Sequence, residues 1–115
     1  MLYDIYKLTC VVDMKVYIGL TSRGAAARFD DHCQYARRVL RRGRRNPTPI
    51  QRAIRIHGEN RFVVEVIDLA ETKEEAWQKE RYWIRMYRSN DRRFGYNRTP
   101  GGEGLFRTKV EIDDI

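Results

Sequence analysis

The sequence lacks any long apolar run and contains few cysteines. No segment approaches the roughly 20 consecutive apolar residues that a membrane helix needs, and the amino-terminal residues lack the apolar stretch of a secretion signal. Two cysteines, Cys10 and Cys33, are too few for a disulfide framework. These absences predict a cytoplasmic protein. The 115 residues suffice for one hydrophobic core.

Acidic residues are scarce in one third of the chain. Between Arg28 and Arg61 there are ten arginines and three acidic residues, so this segment alone carries the net charge of +7. Arginine binds phosphate through paired hydrogen bonds and stacks on bases, which predicts a nucleic-acid partner. The alternative is a solvated helical face whose last arginines offset the helix dipole. The candidate DNA-binding residues are Arg37, Arg38, Arg41, Arg42, Arg44, Arg45, Arg52 and Arg55.

Residues 1–21 predict a β-hairpin that carries two tyrosines. The arms around Tyr6 and Tyr17 are rich in β-branched and aromatic residues, and Asp13 is the turn-forming residue between them. A turn of even length would place the two tyrosines on one face of the sheet, whereas a turn of odd length would place them on opposite faces. The sequence leaves both registers open.

Two helices are predicted after the hairpin. The first runs from about Ala25 to Arg42 and carries Arg28 and His32 on adjacent turns beside an apolar stripe. The second begins at Thr48, which predicts a capping box with Gln51, and ends at Gly58 in a left-handed conformation.

An apolar strand and a third helix follow. The strand from Phe62 is mostly apolar on both faces, which predicts the central or best-covered position in the sheet. The helix begins at Thr72, with Glu75 closing a second capping box, and extends to about Arg88. Glu80 lies on its apolar stripe, where a carboxylate must be paired or bind a cation. An ion pair with an arginine and a metal site remain open alternatives.

These motifs, taken together, resemble the GIY-YIG nuclease family and within it the catalytic domains of phage-type homing endonucleases. The resemblance covers about residues 3–104. The matching segments are Ile5-Tyr6, Tyr17-Ile18-Gly19, Arg28 with His32, Ile50-Gln51-Arg52-Ala53 before His57-Gly58, the strand from Phe62, Glu80 with Trp83-Ile84, and Gly95-Tyr96-Asn97 before Gly101-Gly102. One position departs from the family pattern: Asp4 occupies the place of the usual first glycine.

The resemblance implies an α+β fold, with a central three-stranded antiparallel sheet flanked by helices in the order β-β-α-α-β-α. It also implies that the chain is a DNA endonuclease that hydrolyses a phosphodiester bond with one Mg²⁺ or Mn²⁺ ion. On this basis Glu80 is the metal ligand, Tyr6 the general base and His32 its proton partner. Arg28 would bind the scissile phosphate, Tyr17 would position phosphate or water, and Asn97 would order the site.

The resemblance also sets the expected domain organisation. We expect a catalytic domain over residues 1–104 and a tail, or the start of a linker, over residues 105–115. Homing endonucleases of this type usually carry a separate carboxy-terminal region that reads the target sequence, and nothing in residues 105–115 resembles one. We therefore expect DNA binding mainly through the phosphate backbone, with low sequence preference.

Three alternatives remain. The first is a non-catalytic DNA-binding module on the same fold. The second is a nuclease that selects branched or single-stranded DNA. The third is a zinc-binding domain built on Cys10, Cys33, His32 and His57, which the spacing disfavours because it matches no zinc-finger pattern.

Overall fold

The structure is a computed structural model that describes residues 2–42 and 47–102. For residues 39–42 it describes the backbone only. The elements are β1 (Tyr3–Cys10), β2 (Val16–Thr21), α1 (Ala25–Arg42), α2 (Pro49–His57), β3 (Phe62–Ala70) and α3 (Lys73–Tyr87), with a 3₁₀ turn at Glu59–Arg61. This order confirms the predicted α+β fold with one three-stranded antiparallel sheet. The expected tail over residues 105–115 lies outside the described residues.

The hairpin has an even-length turn. Six residues, 10–15, lie between the paired residues Thr9 and Val16, and the strands also pair Tyr6 with Gly19 and Leu8 with Tyr17. Side chains of directly paired residues share a face of a sheet, and alternate residues along a strand return to the same face. Tyr6 and Tyr17 therefore lie on the same face, with ring centroids 6.3 Å apart. The open question of register is thus resolved in favour of one shared surface.

The central strand is β1, and the prediction that the strand from Phe62 would be central is wrong. The sheet order is β2-β1-β3, so β3 lies at an edge. Its side chains at Val63, Val66 and Leu69 are about half exposed. An irregularity in the β1–β3 register between Ile5 and Tyr6 interrupts the alternation along β3. Apolar composition therefore did not distinguish an edge strand from a covered one.

The helices begin where the sequence predicts. Thr48 and Gln51 form the reciprocal capping box of α2, and the Thr72 hydroxyl caps α3 through the Glu75 backbone N–H. The second predicted box is incomplete, because the Glu75 carboxylate accepts from the Glu71 N–H instead. Gly58 ends α2 with φ 97° and ψ 146°, which is a positive φ but not the predicted left-handed helical conformation.

The core lies on both faces of the sheet. Tyr6, Leu8 and Cys10 project from β1 towards α1 and α2, whereas Ile5 and Ile18 pack against α3. A cavity is lined by residues of β2, the strand at the other edge, and of all three helices. Within the described residues, no helix is both long and apolar enough to cross a membrane.

Candidate active site

Tyr6 packs closely on Gly19 of the neighbouring strand β2. A Cβ atom at Gly19 would lie 2.4 Å from both Cζ and the hydroxyl oxygen of Tyr6. Real Cβ atoms do not approach other atoms so closely. The phenol of Tyr6 can therefore lie against β2 only because position 19 is a glycine. Glycine in the second hairpin arm therefore has a packing role.

Tyr6 and His32 form a buried hydrogen bond. The Tyr6 hydroxyl lies 3.2 Å from His32 Nε2, and the two residues are 1% and 5% exposed. Burial, reinforced by the guanidinium of Arg28, lowers the pKa of His32 to about 4. Burial, with a contribution from Tyr17, also raises the pKa of Tyr6 well above its usual value, although Arg28 opposes this shift. At neutral pH the phenol is therefore protonated and the imidazole is neutral, and the two share this hydrogen bond.

Tyr17 packs against this pair and, like His32, lines the cavity. Its ring lies edge-on to His32 with a centroid distance of 5.4 Å. Tyr17 lines the cavity, whereas Tyr6 is buried beneath it. Of the two tyrosines, Tyr17 is the one that a bound water or phosphate would meet first.

Glu80 is oriented by the glycine pair that follows α3. The backbone N–H of Gly102 donates to Glu80 Oε1 over 3.0 Å. Gly101 has φ +85°, and a Cβ there would lie 2.6 Å from Ile84 Cδ1. The two glycines therefore let this loop pack closely on α3 and fix one oxygen of the carboxylate.

Asn97 covers the free edge of β2. Its Oδ1 accepts from the Ile18 N–H and its Nδ2 donates to the Ile18 carbonyl, both over 2.9 Å. Just before it, Tyr96 N–H donates to the Val16 carbonyl over 2.9 Å. The side-chain amide thus continues the backbone pairing and positions the loop against the strand that carries Tyr17.

A cavity of about 320 Å³ brings most of the predicted site residues together. Its wall includes Tyr17, Arg28, His32, Glu80 and Asn97. Four further polar residues that sequence reasoning missed also line it, namely Thr48, Gln51, Arg98 and Thr99. Thr48 and Gln51 were recognised from the sequence only as the cap of α2. Nothing separate in the sequence indicates that the same two residues line the cavity.

The donor set of this cavity suits a hard divalent cation. Glu80 is the sole carboxylate among the described residues that line it. Magnesium keeps several of its waters and needs only one or two protein carboxylates, so the residues present fit Mg²⁺ or Mn²⁺.

Comparison with known proteins agrees with this geometry. The sequence model of the GIY-YIG catalytic domain matches residues 2–97. The chain belongs to this family. No curated protein matches the chain.

Two solved structures share the GIY-YIG fold of this chain. A mutant of the catalytic domain of intron endonuclease I-TevI superposes with a TM-score of 0.68 at 24% identity, covering 87% of this chain and 96% of that one. The catalytic domain of homing endonuclease I-TevI superposes with a TM-score of 0.62 at 24% identity, covering 83% and 96%. The fold predicted from the resemblance is therefore confirmed.

Asp4, the departure from the GIY-YIG pattern, has a structural contact. Its Oδ2 accepts from the backbone N–H of Ala25, the first residue of α1, over 3.1 Å. A carboxylate at a helix N-terminus satisfies an otherwise unpaired donor and interacts favourably with the helix dipole. Asp4 thus links the first strand to the helix that carries Arg28 and His32.

The described arginines of the GIY-YIG domain do not form one continuous surface. Arg37 makes a bidentate ion pair with Glu59, with Nε–Oε2 and Nη2–Oε1 distances of 2.6 and 2.5 Å. Arg38 lines a depression next to Arg28. Arg52 lies near the hairpin turn, and Arg55 lies beside Glu59. The side chains of Arg41, Arg42, Arg44 and Arg45 lie outside the described residues.

Proposed function

We propose that this chain is a DNA endonuclease that hydrolyses phosphodiester bonds with one divalent cation, Mg²⁺ or Mn²⁺. The observation that carries the proposal is the convergence of Glu80, Arg28 and the Tyr17–His32 pair on one cavity of a GIY-YIG catalytic domain. Both structural neighbours are catalytic domains of an endonuclease. Phosphodiester hydrolysis needs an activated water, a cation at the phosphate and stabilisation of the leaving oxygen, and the site offers groups for each.

Glu80 would hold the cation. When bound there, the ion would stabilise negative charge on the phosphate and the leaving oxygen. Glu80 reaches the cavity from α3, and the Gly102 N–H fixes its Oε1. A carboxylate that is already oriented loses less conformational entropy when it binds an ion, so the Gly102 contact would strengthen cation binding.

Arg28 would bind the scissile phosphate. Its side chain is 42% exposed, and its contact with Asp31 is long, with an Nη1–Oδ2 distance of 3.7 Å. A guanidinium with a loose partner at the rim of a cavity can form paired hydrogen bonds to phosphate oxygens. It would therefore neutralise charge that develops on the phosphate in the transition state.

We assign the contact with the attacking water to Tyr17 and place Tyr6 behind it. Tyr17 lines the cavity, whereas Tyr6 is 1% exposed and burial raises its pKa. A general base must lie within hydrogen-bond reach of the proton it removes. The Tyr6–His32 hydrogen bond would fix the imidazole of His32 so that its ring packs edge-on against Tyr17. The role of Tyr6 as base, expected from the resemblance, remains the alternative.

The test is cleavage of supercoiled plasmid by the wild type and by Glu80→Gln, with Mg²⁺, with Mn²⁺ and with EDTA. The control is Glu74→Gln, which removes an exposed carboxylate from the same helix. Loss of cation binding removes several kcal/mol of transition-state stabilisation, so we expect about a 10²–10⁴-fold loss for Glu80→Gln and no change for the control.

Three further results decide between the alternatives. DNA binding without nicking in either metal would contradict the enzyme and leave the non-catalytic binding module. Faster cleavage of branched or single-stranded substrates than of duplex would identify the structure-selective alternative. Tyr17→Phe and Tyr6→Phe, compared in single-turnover assays, identify the base, because the larger loss in the chemical step belongs to the residue that touches the water.

The approach of DNA is proposed to follow Arg28 and Arg38 rather than Arg37. Arg38 lines the depression of about 400 Å³ beside Arg28, whereas Arg37 is held by Glu59. Each phosphate contact contributes about 0.9 to the slope of log K against log salt. Arg38→Ala should therefore lower the slope by about 1, and Arg37→Ala should leave it unchanged. The reverse result would show that the Glu59 pair opens to receive DNA.

A further inference from the structure

A second cluster of potential metal ligands lies at the hairpin turn, outside the cavity that contains Glu80. The Sγ of Cys10, a carboxylate oxygen of Asp13 and a ring nitrogen of His57 all lie within 4.8 Å of one another. They come from the end of β1, the hairpin turn and the end of α2. The hairpin supplies a thiol and a carboxylate from nearby positions, and α2, distant in sequence, brings an imidazole to the same point.

The contacts around Asp13 hold this cluster in place. Asp13 Oδ2 accepts a short hydrogen bond from the Tyr96 hydroxyl, and Oδ1 accepts from the Lys15 N–H over 3.0 Å. His57 Nε2 lies 3.6 Å from Asp13 Oδ2. Although burial opposes the shift, the hydrogen bonds from Tyr96, Lys15 and Cys10 lower the pKa of Asp13. The carboxylate is therefore ionised at neutral pH, as a metal ligand must be.

We propose that Cys10, Asp13 and His57 bind one zinc ion. Thiolate and imidazole ligands select zinc over magnesium, so this site differs in kind from the one at Glu80. In tetrahedral zinc sites the ligand atoms lie about 3.3–3.8 Å apart, given metal–ligand distances of about 2.0–2.3 Å. The separations here reach up to 4.8 Å, which exceeds the tetrahedral span by about 1 Å, so the ligands would move closer on binding. Tyr96, through its hydrogen bond to Asp13, orients a ligand rather than binding the ion.

Burial and charge are both compatible with the ion. Cys10 is fully buried, whereas the side chains of Asp13 and His57 are 26% and 23% exposed and face a cavity of about 510 Å³. Water can therefore enter from the outer side and complete the coordination. Binding transfers the Cys10 proton to solvent. The thiolate and carboxylate then cancel the charge of Zn²⁺. The occupied site is therefore neutral, one unit more positive than before binding, beside Arg52, Arg92 and Arg98 of the same cavity.

The proposed ion would join the hairpin turn to α2. Of the four residues in the zinc alternative weighed from the sequence, only Cys10 and His57 come together within the described part of the chain. His32 instead binds Tyr6. Burial raises the pKa of the Cys33 thiol to about 12, which disfavours its thiolate. Asp13, which the sequence identified as a turn residue, is the third ligand.

The test uses cobalt as a spectroscopic substitute for zinc, in the Glu80→Gln background so that the nuclease site cannot contribute. The protein is prepared without a histidine tag and stripped of metal. One equivalent of Co²⁺ should give a thiolate charge-transfer band, which Zn²⁺ should abolish. The band should disappear in Cys10→Ala and persist in Cys33→Ala, the matched change at another buried cysteine.

A surface variant covers the case in which Cys10→Ala fails to fold. His57→Gln removes a part-exposed ligand and should weaken zinc binding by at least about 100-fold, because loss of a ligand exceeds the roughly 10–100-fold effect of losing an outer partner. Zinc should raise the Tm of the wild type and not that of His57→Gln. The proposal is overturned if folded wild type gives no band at millimolar Co²⁺, or if Cys10→Ala retains the band. Neither result depends on DNA cleavage.

Discussion

The two ends of one face of β1 make an instructive comparison. Tyr6 and Cys10 project from the same face of the strand, and each meets a histidine from a covering helix. Tyr6 meets His32 of α1, whereas Cys10 lies with His57 of α2. One end belongs to the proposed nuclease site, and the other to the proposed zinc site.

Neighbouring charges and solvent explain why the two ends differ. At the Tyr6 end, burial and Arg28 outweigh the opposing effect of Asp31 and lower the pKa of His32 to about 4. At the Cys10 end, an ionised Asp13 accepts from Tyr96 and contacts His57. The first environment produces a neutral hydrogen-bonded pair, and the second produces an anionic ligand set. The same strand face would thus support the two proposed chemistries.

The largest expected effect is on catalysis at the Tyr6 end. His32→Ala should lower the rate of the chemical step by about 10²-fold, because it removes the ring that packs against Tyr17 and a small misplacement of a group at the reacting centre has an effect of that size. Single-turnover cleavage measures it, and DNA binding should persist. Cys33→Ala, at the next position of the same helix, is the control. Equal losses in both variants would mean that any disturbance of the core beside α1 lowers the rate, without a specific contribution from the contact between His32 and Tyr17.

Acid should weaken the fold through the same histidine. Unfolded His32 binds a proton below about pH 6.5, whereas the folded residue does so only below about pH 4. Stability is therefore retained above pH 6.5 and lost as the pH falls from 6.5 to 4, by up to about 3 kcal/mol. Urea unfolding at pH 7, 5.5 and 4.5 should give a shallower pH dependence for His32→Gln. Parallel curves for the two proteins would contradict the lowered pKa.

An added methyl group should disturb the Tyr6 end alone. Gly19→Ala places a Cβ 2.4 Å from the Tyr6 hydroxyl, so the ring must move away from His32. Overpacking of this kind costs about 1–3 kcal/mol. Urea unfolding measures that cost against Ser22→Ala, an exposed change just beyond β2. Cobalt binding at Cys10 should be preserved, and its loss would show that the two ends are coupled.

The smallest expected effect is at the hairpin turn. Tyr96→Phe removes the hydroxyl that donates to Asp13, and the net contribution of such a bond is about 0.5–1.5 kcal/mol. Unfolding in EDTA measures this contribution without any bound metal. Tyr82→Phe, at a 44% exposed tyrosine, is the control. No difference between the two variants would leave Asp13 held by Lys15 and Cys10 alone.

The elements of this fold could be predicted well, and their arrangement less well. The spacing of apolar residues located both ends of α1, and the capping residues Thr48 and Thr72 located the starts of the next two helices. Glu80 was identified as a candidate site residue because a carboxylate on an apolar stripe is costly without a partner. The same reasoning misplaced β3, because an apolar strand at an exposed edge has the composition of a covered one.

Several contacts gave no signal in the sequence. Asp4 reaches the N-terminus of α1 across 21 positions, and the Gly102 backbone reaches Glu80 across 22. Both contacts depend on how separate elements pack, which local periodicity does not encode. Arg37 was grouped with its neighbours by charge, and only its distance to Glu59 distinguishes it from Arg38.

The sequence by itself determined the types and order of the elements and which residue types were available for chemistry, because local periodicity and capping depend on neighbours along the chain. The tertiary structure decided the strand order, the shared face of Tyr6 and Tyr17 and the meeting of Cys10 with Asp13 and His57. Those features depend on turn length and on packing between distant segments. A slip of one residue in the hairpin would have moved Tyr17 to the opposite face and dismantled the site.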